Sequence, residues 1–547
     1  MFSNKQINII AAFLLTIALG FSVFLMYYSK DYSVGVIEQP EYISSIFDSS
    51  SIIDINIDID EDNWNNMLET ADEEVYTNAD ITVNGTTYYN VAIRPKGNSS
   101  LTTVFNNDNS DRYSFKIKFD EYVNGQTLDG LSKLVLNNNI SDPTYMKEYL
   151  SYDLLSSLGV ATPAYSYANI SINGEDWGLY LALEPLEEEF VDRNFNSDSG
   201  NLYKPENTGE QGGPGGEGGK GGPPPGGENA GNMPPRDNEN GENIPALNNE
   251  NNGNMPPIDG ENMPPMQEGN ELQENGDLAA VNGEQGARKN PGGGQRSYSG
   301  SDLVWTGDDI SNYSDIFDNS VLKTTDENDY DKIIDMLEHL DSLEDIEEYL
   351  DVDEVLKYFA VNTFLVNLDS YASDLKHNYY LYEDNGVVSI LPWDYNLAFG
   401  GFQPESASYI VNFPIDMPVT TEAESSPLIC KLLEVDQYKE TYHEYLSYIV
   451  DNYVNNGEFE KEIYKVDSLI SGYVENDPTA FYTFYEYKES LTNLLMLGQD
   501  RAESISAQLE GTQSTTTTGN LETEVDITTL GGQGGVADKG GREGQRK

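Results

Sequence analysis

The chain of 547 residues carries 94 acidic against 30 basic side chains, a formal charge of −64. A surface that acidic repels the phosphates of DNA and RNA, so no nucleic-acid partner is expected, while divalent cations and basic proteins suit it. The length exceeds what one core fills, and with three histidines and a lone cysteine, Cys430, few catalytic toolkits besides carboxylates and amides remain and no internal disulfide can form.

Lys5 precedes an uncharged run from Gln6 to Ser29 rich in Ile, Leu and Phe. About 22 apolar-leaning residues in a helix rise about 33 Å, enough to cross a bilayer. The run ends in the bulky FLMYYS (Phe24 to Ser29) without a small-x-small cleavage site. Residues 1–30 are therefore expected to be an uncleaved transmembrane signal anchor. Asp31 and the acidic chain beyond it put the bulk of the protein outside the cytoplasm, as a single-pass protein of the cell membrane. Residues 31–50 read as a tether.

From Ile52 the pattern turns to β, with IIDINIDI (Ile52 to Ile59) largely alternating. Further strands are expected at Ala79 to Val83, Tyr88 to Arg94 and Ser114 to Phe119, with Asn84-Gly85 and Asn124-Gly125 as turns. DIDEDNWNNMLE (Asp58 to Glu69) spaces carboxylates like a calcium loop, but Asn63 stands where glycine is needed, so a strand running into a capped helix is the better reading. A helix is expected from Pro143 to Leu158, with Asp142 as N-cap and Gly159 at its end. Two strands, Tyr167 to Ile172 and Gly178 to Glu184, flank the turn Asn173-Gly174.

Residues 206–297 are dominated by Gly, Pro, Asn and Glu and cannot bury enough apolar area to offset chain entropy, so a disordered insert is expected. Beyond it, three-and-four spacing predicts helices at Asp329 to Leu340, Leu343 to Leu350 and Val352 to Leu368. The same spacing marks Pro427 to Tyr453, Phe459 to Val474 and Phe484 to Leu509. Residues 511–547, rich in Thr and Gly, read as a disordered tail. Within the helical half, NLDSYASDLKHNYYLY (Asn367 to Tyr382) and ILPWDYN (Ile390 to Asn396) offer a carboxylate, Asp369, then an amide, Asn378, then a carboxylate at a strand end, Asp394. A base or positioning group, a neutral ligand and an anionic ligand are what metal-assisted phosphoryl transfer needs.

Eight motifs in order carry a resemblance: RPKGNSS (Arg94 to Ser100), SFKIKF (Ser114 to Phe119), KLVLNN (Lys133 to Asn138) and DPTYMKEYL (Asp142 to Leu150). NGEDWGLY (Asn173 to Tyr180), GNLYK (Gly200 to Lys204), HNYYLY (His377 to Tyr382) and PWDYNLAFG (Pro392 to Gly400) complete the set. Together they resemble the CotH family of spore-coat kinase-like proteins, from about residue 52 to 510. The resemblance implies an α+β, atypical protein-kinase-like two-lobed fold, with a β-rich N-lobe over residues 51–205 and a helical C-lobe over 298–510. It further implies ATP and a divalent metal (Mg²⁺, with Mn²⁺ or Ca²⁺ as substitutes) used to phosphorylate Ser or Thr in a protein, expected to be basic and Ser-rich. A catalytically inactive surface scaffold of the same fold is the alternative.

On that frame Gly97, Asn98 and Ser99 would cradle phosphates. Lys116 or Lys118, which share one face of their strand, would bind them and pair with Glu148, with Lys96 and Lys133 as rivals. EPLEEEF (Glu184 to Phe190) occupies the hinge position, where backbone groups meet an adenine. Asp394 would hold the metal with Asn378. Asp369 would orient or deprotonate the acceptor hydroxyl. Asp374 lies closer to Asn378 and rivals Asp369 as the base. His377 reads as a packed or surface residue.

Overall fold

The computed structural model describes residues 39–107, 109–195, 200–206, 299–403 and 406–533. The expected membrane anchor, residues 31–38 of its tether and all of the Gly/Pro insert after Glu206 lie outside these residues. Among the described residues no helix is long and apolar enough to cross a membrane.

The first strand, β1 (Ile53–Asp58), shows how this half folds. Ile53, Ile55 and Ile57 are buried while Asp54 and Asp58 are exposed, the period of two that a half-buried strand requires. Asp60 then caps α1 (Glu61–Glu69) by accepting from the Asp62 and Asn63 N–H groups, so this stretch is a strand and a capped helix. β2 (Thr77–Val83) and β3 (Thr86–Lys96) are joined by Asn84-Gly85 with φ of 48° and 85°, and β6 (Tyr165–Ile172) and β7 (Glu175–Leu183) by Asn173-Gly174 with φ of 53° and 81°. Positive φ at both central residues is what a tight hairpin between right-twisted strands needs.

Together with β4 (Ser114–Lys118) and β5 (Lys133–Asn137), these strands close into a barrel in the order β1-β2-β3-β4-β5-β7-β6. The closing pair is parallel, Ile55 of β1 opposite Ile170 of β6. This corrects the expected two-lobed kinase-like fold: the β-rich half is a closed seven-stranded barrel, not an open lobe. The physical reason is that β1 carries buried isoleucines on one face and free backbone edges on both sides, and pairing with β6 satisfies the second edge. Ile55, Ile81, Ile93, Phe115, Leu134 and Tyr180 fill the interior.

The outer face of β5, β6 and β7, with Val135, Tyr167, Leu181 and Leu183, packs on α3 (Lys147–Ser157) and the helices beyond. Helix α3 starts later than Asp142 suggests. The Asp142 carboxylate accepts from the Thr144 N–H, the Thr144 hydroxyl and the Lys147 N–H, so it closes a turn from which the helix then departs. After α4 (Glu188–Phe195) comes β8 (Asn201–Tyr203), which joins β9 (Tyr379–Asp384) and β10 (Val387–Pro392) in a three-stranded sheet inside the helical part.

That part is built from α5 (Glu327–Ser342), α6 (Val352–Leu365), α7 (Asp436–Tyr448), α8 (Glu458–Asn476) and α9 (Phe484–Leu509). The single helix expected over 427–453 is instead the short turn Pro427–Cys430, then α7, then a π-turn at Ile449–Val454. Residues 511–533, read from composition as part of a disordered tail, run back over the helices. Asp416 N–H donates to the Thr515 carbonyl, Gln533 N–H donates to the Gly401 carbonyl, and Leu530 is fully buried.

Candidate functional site

The site forms where the outer face of the barrel meets the turn after β10. Helix α6 ends at Val366, whose φ of 46° turns the chain out of the helix, and Asn367 bonds back to Asn362 through both backbone and side chain. The Asn362 amide also donates to the Tyr395 hydroxyl at 2.9 Å, which staples the α6 end to the PWDYN turn. The loop that follows carries Asp369, nearly buried at 8 % exposure. One of its carboxylate oxygens lies 2.8 Å from His377 Nε2, and the other accepts from the Asn378 side-chain amide at 3.1 Å. That amide also donates to the Asp369 carbonyl at 2.9 Å, and Asn378 sits at φ 57° to reach it.

Asp394 follows β10 with φ 57° and gives its N–H to the Tyr152 hydroxyl at 3.2 Å. Its Oδ1 is sealed from solvent without a hydrogen-bond partner. Burial raises the Asp394 carboxyl above the usual range; Lys96, His377 and Lys204 oppose that rise and Asp369 adds to it. All four groups therefore act electrostatically on one carboxylate. Glu148 on α3 accepts from the Asn137 amide at 2.9 Å and from the Tyr152 hydroxyl at 3.1 Å. Burial first, and then the Asp394 charge, pushes it up to about 7.

The cation of this group is Lys96, at the end of β3. Its Nζ donates to Asn137 Oδ1 at 3.2 Å and lies 6.0 Å from the centre of the Trp393 ring. Lys204 approaches from β8, paired with Glu206 at 2.6 Å and 6.0 Å from the Tyr380 ring centre.

Asp369, Asn378, Asp394 and Glu148 are thus brought into one neighbourhood. Lys116 and Lys118 are not part of it. Lys116 pairs with Glu187 at 3.2 Å, an acid of the EPLEEEF segment that Lys133 also engages. Lys118 pairs with Glu121 at 2.7 Å. The expected Lys116–Glu148 pair is replaced by Lys96 acting through Asn137, because β3 and β4 run antiparallel and leave Lys96 nearer the end of the barrel, opposite Ser114. Gly97 takes φ 123°, and a Cβ there would fall 2.5 Å from Ser100 Oγ, so glycine is required. Its N–H donates to the Glu74 carboxylate at 3.2 Å, while Asn98 and Ser99 open a short helix, Ser99–Phe105. An acidic side chain therefore stands where the phosphate was expected.

Sequence reasoning missed Asn137, Tyr152 and Lys204, and undervalued Lys96 and His377. Lys96 had a signal, since it is the strand residue next to the loop of the Arg-Pro-Lys-Gly motif. Tyr152 had one too, four residues after Glu148 and thus on the same helix face.

A metal fits this group on the chemistry of its donors: Asp394 Oδ1 is a hard oxygen with no partner, and Asn396 Oδ1, two residues on, is likewise buried and unpaired. Among the described residues no three His, Cys, Asp or Glu side chains gather as a complete metal cage. A shell shared with phosphate oxygens, as magnesium sites usually are, needs only one or two carboxylates.

Comparison with known proteins agrees with the motifs. The model of the family described as "CotH kinase protein" matches residues 93–257 and 265–505. The chain is 32 % identical over 78 residues to "Inner spore coat protein H" of Bacillus subtilis (strain 168), covering 14 % of this chain and 22 % of that one. It is 30 % identical over 77 residues to "Inner spore coat protein H-like protein" of the same organism, covering 14 % and 24 %. These alignments span about a quarter or less of the relatives' own length. The family match runs over well over half of the sequence, across both the barrel and the helical part, and the chain belongs to the CotH kinase protein family.

Proposed function

We propose that this chain transfers the γ-phosphate of ATP to a Ser or Thr hydroxyl of a basic, Ser-rich protein, with a divalent metal as cofactor. The observation that carries this reading is the gathering of Asp369, His377, Asn378 and Asp394 beside Lys96 in a seam that leaves Asp394 Oδ1 unpaired. Asp394 would hold the metal, Mg²⁺ in the first instance with Mn²⁺ or Ca²⁺ as substitutes, together with the oxygen of the Asn378 amide. The bound ion would neutralise charge developing on the transferred phosphoryl group.

The remaining work falls to the chain's own groups. Lys96 and Lys204 supply fixed positive charge for the phosphates. Asp369, held at both oxygens by His377 and Asn378, has the geometry to receive or orient the proton of the acceptor hydroxyl. The acids Glu184 and Glu187 are tied down by Arg193 and Lys116. Because the relatives named above are spore coat proteins, we extend that setting to this chain as well.

The test is metal-dependent transfer of radiolabelled phosphate from ATP to a basic Ser-rich peptide. Transfer by the intact chain and its loss in Asp394→Ala support the reading. Nucleotide binding with no transfer under any of the three metals overturns it in favour of a silent scaffold.

A further inference from the structure

We propose that Asn137 and Tyr152 are positioning residues that tie the phosphate-facing ammonium of Lys96 to the turn bearing Asp394, with Glu148 as the acceptor they share. The proposal rests on the phosphotransferase reading above and adds how its two halves are held in register.

Four hydrogen bonds form one chain across four elements. Lys96 at the end of β3 donates to Asn137 Oδ1 at the end of β5, at 3.2 Å. The amide of Asn137 donates to Glu148 Oε2 on α3 at 2.9 Å. Tyr152, one turn further along α3, donates its hydroxyl proton to Glu148 Oε1 at 3.1 Å. The same hydroxyl oxygen accepts the Asp394 N–H at 3.2 Å. Both Glu148 oxygens are thus filled by neutral donors, and the ammonium reaches the glutamate only through an amide.

This polarity is directional. Asn137 must accept from a cation on one side and donate to a carboxylate on the other, which an amide can do and neither an aspartate nor an alanine can. An ammonium has three N–H donors, and bonding one to a neutral oxygen leaves the cation's full charge for a ligand. At the other end, a φ of 57° at Asp394 is held by its N–H having a defined acceptor. Glu148 and Tyr152 are buried and packed by neighbours, so the chain has little freedom to take another path.

The experiment uses the full chain and three variants: Asn137→Ala, Asn137→Ser (which keeps an acceptor for Lys96) and Tyr152→Phe (which keeps the ring). Asn137→Ala is expected to raise KM for ATP about tenfold with kcat changed less than about threefold, and Asn137→Ser to recover part of that loss. Tyr152→Phe is expected to lower kcat about tenfold with KM little changed. Backbone hydrogen exchange over residues 394–398 is expected to speed up in Tyr152→Phe and also in Asn137→Ala, whose substitution lies on another element. A fall in kcat alone that tracks the amount of folded protein, or exchange at 394–398 that ignores Asn137→Ala, overturns the proposal. If the unmutated chain transfers no phosphate at all, the functional reading fails by itself, and the exchange measurement still decides whether the two ends are tied.

Discussion

Two of the contacts between the barrel and the helices are built on opposite terms. At one, Arg112 is fully buried and donates to both oxygens of Asp477 at 2.9 Å, to Thr479 Oγ1 at 2.7 Å, and to the carbonyls of Asn138 and Leu179. Asp477 also takes the Leu179 N–H at 2.9 Å. Charge is balanced there and both partners are bonded on every side. At the other, the Asp394 charge acts on Glu148 and that of Asp369 acts on Asp394, one oxygen is unpaired, and two carboxyls are displaced upward from their ordinary range. The first contact is what a fold builds to hold two parts in place. The second is destabilising by itself, and such a cost persists where a ligand is to be bound.

Several changes would break or sharpen that contrast. The largest effect is expected from Asp394→Asn, which should reduce phosphate transfer about 10⁴-fold, or about 5 kcal/mol of transition-state stabilisation. Its thermal midpoint should hold or rise, and a variant that instead unfolds would show that the site is a structural contact. Next comes Arg112→Ala, expected to cost about 3–5 kcal/mol in denaturant unfolding because it leaves a buried aspartate without its cation. Unfolding of that variant at the unmutated midpoint would end the claim that this contact clamps the barrel.

Glu148→Gln follows. A carboxyl raised to about 7 in the folded chain holds its proton there while the unfolded chain has already released it near pH 4.5. Its contribution is therefore favourable at low pH and is lost as pH climbs from about 4.5 to 7. Relative to the unmutated chain, the Gln variant should gain up to about 3 kcal/mol between pH 4.5 and pH 8, read from paired denaturation curves. A pH-independent difference would show that Glu148 is not held in its protonated range. The smallest effect separates the lysines: Lys96→Met should weaken nucleotide binding about tenfold and Lys116→Met about twofold, by titration calorimetry. The reverse order would return the phosphate role to Lys116.

How much of this was legible in the sequence depended on the range of the interaction. Alternation at Ile53, Ile55 and Ile57, the Asn-Gly turns and the spacing of α9 are local, and they could be read directly. Barrel closure was not, because pairing of Ile55 with Ile170 leaves no trace in either strand beyond its apolar face. The three residue types of the carboxylate site were likewise visible in NLDSYASDLKHNYYLY and PWDYN. Which lysine serves them was not, because Lys96, Lys116, Lys118 and Lys133 all sit on β-strands, and only strand register tells which one lies beside Asn137 and Glu148. His377 was undervalued for a similar reason: its partner is eight residues away across an irregular loop, where no periodicity applies.

The parallel seam between β1 and β6 has a bearing on how this molecule comes into being. A strand whose neighbour is made so much later waits with an unpaired side during synthesis, and non-local pairing of this kind slows folding. Its alternating aspartates, Asp54 and Asp58, put charge along that waiting side. They are the sort of guard that keeps an unfinished strand from joining a stranger's.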